Sequence, residues 1–173
     1  MQDVSWISDL KLRASTGKLG NQEIGNYNYL TLYRRLGEGY VPSRYGNDNL
    51  KWETTKQDNI GLDMGLFKNK IYLTADYFKK TTSGILLPVD LPSFVGDVMP
   101  TYINSGEVTN KGFELSMGYK NNDHAFKYNV NANIATVTNR VEQLHPNLKS
   151  ISTKVSKTEV GHPLNSFYGY QMI

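Results

Sequence analysis

No cysteine occurs in this chain of 173 residues, which excludes disulfide staples, thiolate nucleophiles and cysteine-held metals. No run of about 18 apolar residues occurs either. That rules out a membrane-spanning helix but not a membrane-spanning strand, which needs only about 9–11 residues. Charge of one sign is not in excess. The formal net charge is +3 with no basic stripe, so nucleic acid is not an expected partner. The opening residues carry Asp3, Asp9 and Lys11 and lack the apolar stretch of a secretory leader. At the other end, Tyr170, Gln171, Met172 and Ile173 carry no cap or turn signal. Both ends therefore read as cuts through a longer protein.

What the chain has in quantity is tyrosine, at 12 residues, and glycine, at 15, a composition suited to strands, turns and interfacial aromatics. Apolar and polar residues also alternate strictly. Ile60, Leu62, Met64 and Leu66 alternate with Asn59, Gly61, Asp63 and Gly65, and Ile71, Leu73, Ala75 and Tyr77 with Tyr72, Thr74 and Asp76. The pattern returns at Phe113, Leu115, Met117 and Tyr119, and again at Phe126, Tyr128, Val130, Ala132 and Ile134. Successive side chains of a strand point to opposite faces, so each run is a ribbon with one apolar and one wet side. The expected fold is all-β, an antiparallel up-and-down meander of about five strands. These are placed near residues 10–17, 52–67, 70–80, 108–119 and 124–138, with long loops at 18–50, 81–107 and 139–173.

The connections alternate long and short, as in outer-membrane barrels with tight periplasmic turns and large outer loops. Residues 52–67 would extend roughly 50 Å, well beyond a bilayer. If Lys68-Asn69 is a two-residue hairpin loop, Met64 faces Leu73 and Ile60 faces Tyr77. If Asn122-Asp123 is the second, Met117 faces Tyr128 and Glu114 faces Asn131.

No constellation of residues points to catalysis. Asp63, Asp76 and Glu114 share the wet face, but nothing implies the burial that raises one carboxyl of a glycosidase pair. His124, His145 and His162 are too scattered for a metal site, and no nucleophile triad or phosphate loop is present. Lys127, Asn129, Asn131 and Asn133 line one wet strand face, either as a solvated surface or as the wall of a lumen. Tyr119, Phe126 and Tyr128 cluster near a short turn, either as an aromatic girdle or as ordinary cross-strand aromatic pairs. Tyr27, Tyr29, Tyr33, Tyr40 and Tyr45, with Arg34, Arg35 and Arg44, form either a sugar- or peptide-binding surface or a loop packed on itself. No catalytic residue, metal ligand or cofactor is assigned, and the ligand-binding residues are left open.

Several strings resemble SusC/RagA-type TonB-linked outer-membrane transporters. They are LKLRAS at 10–15 with GNQEIG at 20–25, NLKWETTKQDNIGLD at 49–63 running into DYFKKTT at 76–82, GEVTNKGFEL at 106–115 and GHPLNSFYGY at 161–170. They span most of the chain in the family's order. The resemblance implies a 22-stranded transmembrane barrel with an N-terminal plug, of which this chain supplies about five strands from the later part. It implies residence in the outer membrane of a Gram-negative bacterium. It also implies import of glycans or peptides driven by TonB beneath a SusD-like surface lipoprotein, with outer-membrane lipid around the wall. The plug, the TonB-contacting segment and the terminal strand would lie outside these residues, so the segment alone would transport nothing. The competing readings are a soluble β-sandwich carbohydrate-binding module and a secreted β-rich enzyme. A sandwich requires a second sheet to cover the apolar face.

Overall fold

The computed structural model describes residues 6–96, 98–123 and 126–169. Five long strands form one sheet: β1 (Ile7–Asn21), β4 (Glu53–Leu66), β5 (Ile71–Val89), β6 (Thr101–Asn121) and β7 (Tyr128–Gln143), paired in that order. Apart from the long excursion between β1 and β4, each strand pairs with its sequence neighbour, as a meander requires. Two smaller sheets sit in the connections. One is the hairpin of β2 (Leu32–Leu36) and β3 (Gly39–Arg44), and the other joins β8 (Ser150–Ser152), β9 (Ser156–Glu159) and β10 (Ser166–Phe167). A single 3-10 turn, Ser93–Val95, is the only helical element among the described residues.

By contacts the chain divides into two compact units. The first gathers the residues up to Gly17 with Lys56–Lys80 and Asn110–Asn139; the second gathers Lys18–Thr55, Thr81–Thr109 and the residues from Arg140 onward. Among the described residues, the buried hydrophobic side chains are Val108, Val141 and Leu144, packed with Ile85 and Leu87, and all belong to the second unit. Among its described residues the first unit has no such core. Its aliphatic side chains stand on one face, where Leu62, Met64, Leu73 and Leu115 are half-buried and others are open: Leu12 is 75% exposed, Ile60 58%, Met117 51% and Ile134 62%. An open apolar face is what a sandwich would have covered, so the sandwich expectation fails here.

Four of the five long strands outrun their expected limits at one end or both, while β4 stays within them. The connection read at 81–107 shrinks to the residues between Val89 and Thr101, β1 continues to Asn21 and β7 to Gln143. The β5 and β6 extensions carry Thr81, Thr82, Ile85, Thr101, Tyr102 and Ile103, which favour strands, yet they lack apolar–polar alternation, so the period-2 signal stops before the strand does. Gly84 lies within the connection expected at 81–107. It sits in β5 with φ 68°, a local kink whose carbonyl accepts a 2.8 Å bond from Asn104 Nδ2. The loop read at 18–50 contains the β2–β3 hairpin, and that read at 139–173 contains β8 to β10.

The first short turn has the geometry expected of it. Lys68 and Asn69 have φ 58° and 60°, and Lys70 N donates to Phe67 O at 3.3 Å. Close approaches of Gly61 to Asp76 and of Thr55 to Thr82 fall on the expected register. The second turn differs. Strand β6 runs to Asn121 and β7 begins at Tyr128, so the connection is six residues rather than two. Asn139 Nδ2 donates to Asn110 Oδ1 at 2.7 Å, a contact four residues off the expected pairing. Met117 therefore does not face Tyr128, and Glu114 does not face Asn131. An even shift leaves every side chain on its expected face, which is why the alternation was read correctly and the turn was not. His124, part of the expected strand 124–138, lies outside the described residues, as does Tyr170 at the end of the last family-like string.

Candidate functional site

The two faces of the first unit are chemically opposed. Position parity sends Leu10, Leu12, Leu62, Met64, Leu73, Leu115 and Met117 outward and sends Arg13, Asp63, Asp76, Glu114 and Ser116 to the other side. On that polar face Arg13 reaches from β1 across β4 to β5. Its Nε donates to Asp63 Oδ2 at 2.7 Å, and its Nη2 donates to Asp76 Oδ1 at 3.0 Å. Two strand positions thus present carboxylates that one forked cation holds together. Gly61 makes the span possible, since a Cβ there would lie 2.7 Å from the Arg13 guanidinium and closer still to Asp76.

Aromatic rings cross the same face over glycines. The Tyr72 ring covers Gly118 and its hydroxyl donates to Asn131, while the Phe78 ring covers Gly112. A missing side chain on one strand leaves a slot that the neighbour's ring fills. Arg13, Ser15, Asn59, Asp76, Phe78 and Glu114 help line a shallow depression of about 380 Å³. Of the three acids expected on the wet face, Asp63 and Asp76 are joined by Arg13, and Glu114 lines the depression beside them. The role of Arg13 was not read from sequence. Its position on the polar side of β1 was visible, but the pairing of β1 with β4 across a 31-residue gap was not.

Of the expected Asn row, Asn131 takes the Tyr72 hydroxyl bond, and Asn129 and Asn133 are exposed, as is Lys127. The aromatic cluster near the short turn is real: the Tyr119 and Tyr128 rings lie 5.8 Å apart and Phe126 and Tyr128 5.7 Å apart. At that end Lys70 pairs with Asp123, which raises the Lys70 pKa through the side-chain hydrogen bond.

In the second unit the loop tyrosines divide. Tyr33 faces Pro42 and Arg35 faces Tyr40 on the β2–β3 hairpin, with both tyrosines exposed. Arg44 is spent internally, its Nη2 donating to Tyr27 O at 3.1 Å, and Arg35 Nε donates to Gly37 O at 3.1 Å. Gly46 lies so close to the backbone of Tyr29 and Leu30 that a Cβ would meet it at 2.3 Å. This loop is therefore at least partly packed on itself. In the last sheet, Lys157 sits 2.8 Å from Glu159 and 5.5 Å from the centre of the Tyr168 ring. Its hydrogen bond holds the Glu159 carboxyl below the ordinary carboxylate range. His145 accepts from the Asn147 backbone and the His162 carbonyl accepts from Val141, so the two belong to separate contacts.

A meander with one open apolar face and one polar face carrying a charge cluster suits the wall of a closed barrel. The family model for the TonB dependent receptor-like β-barrel matches residues 3–167. The chain belongs to this TonB-dependent receptor family. Among its relatives, TonB-dependent receptor P3 of Formosa agariphila is 33% identical over 99% of the chain and 19% of that protein. TonB-dependent receptor SusC of Bacteroides thetaiotaomicron is 32% identical over all of the chain and 20% of that protein. Among solved structures, the RagAB peptide importer in its open-open state superposes with a TM-score of 0.84 at 31% identity, covering 96% of the chain and 19% of that chain. The chain thus spans about a fifth of the length of these proteins. The resemblance read from the strings at 49–63 and 106–115 is met at the level of sequence and of fold.

Proposed function

We propose that this chain is a five-stranded stretch in the wall of a 22-stranded outer-membrane importer of glycans or peptides. Its outward apolar residues face lipid, and Arg13, Asp63 and Asp76 face the lumen. The observation that carries this reading is the open face of Leu12, Ile60, Met117 and Ile134 in a unit with no buried hydrophobic side chain among its described residues. In water such a face would be driven to cover itself, whereas in a bilayer it is already satisfied. The family membership and the likeness to a peptide importer support the transport class. A SusD-like surface lipoprotein over the mouth and TonB at the opposite end complete the reading, both engaged by parts of the parent beyond these residues. The segment carries no catalysis of its own.

Fractionating cells that make the protein and assaying uptake tests this directly. The protein should sediment with the outer membrane, and disrupting its gene should abolish uptake of a labelled oligosaccharide or of a labelled peptide mixture. Recovery in the soluble fraction, or unchanged uptake of both cargo types, would contradict it.

A further inference from the structure

The outward face changes character abruptly at one row. Contacts of Tyr72 with Gly118 and of Phe78 with Gly112 fix how β5 and β6 pair, and the same register sets Lys79 directly opposite Lys111 on the outward side. Both lysines are exposed. One row nearer the short turns, the outward positions are Ile60, Tyr77 and Phe113, the margin of the apolar band. Asp58 lies on the β4 side of Lys79, but it already accepts from Thr16 Oγ1 at 2.6 Å and pairs with Lys56 at 3.2 Å. Among the described residues, neither Lys79 nor Lys111 has a carboxylate within ion-pair distance.

Two like charges at directly opposed strand positions repel, with Cβ atoms about 4.5–5.5 Å apart. The arrangement becomes favourable when an anion sits between them. Long lysine stems can lie along the last apolar row and lift their ammonium groups to the level of lipid headgroups. The row lies at the end of the band away from the short turns, the outer side of such a barrel.

We propose that Lys79 and Lys111 form a docking site for the phosphate of an outer-leaflet lipid headgroup. The inference rests on the outer-membrane reading above and goes beyond it, since a lipid wall does not by itself require a phosphate site. The anion is commonplace, but its source here is the lipid, because the pair borders the apolar band and not the lumen.

The protein as the cell makes it, placed in phosphatidylcholine nanodiscs doped with a diphosphorylated diglucosamine lipid, provides the test. Lipid retention is read by native mass spectrometry. At about 1 kcal/mol per lysine near an anionic surface, each of Lys79→Gln and Lys111→Gln should weaken retention roughly fivefold, and the double variant more than either. The same lipid stripped of its phosphates should bind the native protein as weakly as the double variant binds the intact lipid. Lys68→Gln, at the opposite end, should change nothing. Unchanged retention in the double variant, or an equal loss in Lys68→Gln, would each overturn the proposal. Failure of the native protein to float with lipid vesicles would instead overturn the membrane reading itself.

Discussion

Replacing Gly112 with alanine is expected to destabilise the folded protein by about 3 kcal/mol, the upper end for overpacking. A Cβ at this position would lie 2.3 Å from the Thr136 carbonyl oxygen on the neighbouring strand and 2.7 Å from the Phe78 ring. A ring can swing away, but a strand carbonyl cannot move without opening the pairing of β6 with β7. Gly118 supplies the contrast, since the nearest atoms to its Cβ belong to the far end of the Tyr72 side chain. Pairing Gly118→Ala with Tyr72→Ala should therefore recover most of the loss caused by the glycine substitution, whereas Gly112→Ala with Phe78→Ala should not. Urea unfolding midpoints of the detergent-folded protein, arranged as two double-mutant cycles, measure the difference. Equal rescue in both cycles would show that the β6–β7 approach is not fixed by backbone.

The second large effect concerns the faces. Leu115 stands near the middle of the outward band, and Ser116 stands beside it on the polar face. Arginine near the bilayer midplane on the lipid face of a barrel costs about 2–4 kcal/mol, because its charge must leave water or drag water inward. Leu115→Arg should lose that much bilayer-folded stability, while Ser116→Arg should stay within about 0.5 kcal/mol of the native protein. Folding titrations into short-chain lipid vesicles resolve the two. Similar costs for both would mean that neither face is in lipid.

Much of the first unit was legible because its two faces carry different side chains at alternate positions. Ile60 to Leu66 and Ile71 to Tyr77 carry that contrast, so strands, faces and the Lys68-Asn69 turn all followed from it. The signal fails where the contrast fails. Thr81, Thr82 and Ser83 continue β5, and Tyr102, Ile103 and Asn104 open β6, with no apolar face to mark them. Gly84 and Pro88 fall in that same stretch, and a glycine and a proline read as loop residues, yet β5 runs through both. The second turn was misplaced because Asn121, Asn122 and Asp123 are good turn residues, and alternation cannot distinguish registers that differ by an even number. The Arg13 cluster was half visible: its acids lay on a recognised face, but their cation came from a strand whose partner is set by topology rather than by local sequence.

A cysteine scan of residues 113–120 tests most directly whether the open apolar face meets lipid. The chain contains no cysteine, so each introduced thiol is the only one within these residues and can carry a fluorescent label. In bilayers containing brominated acyl chains, labels at 113, 115 and 117 should be quenched by lipid and those at 114 and 116 by aqueous iodide, alternating residue by residue. Iodide quenching on both faces, or lipid quenching with no alternation, would contradict the barrel-wall assignment.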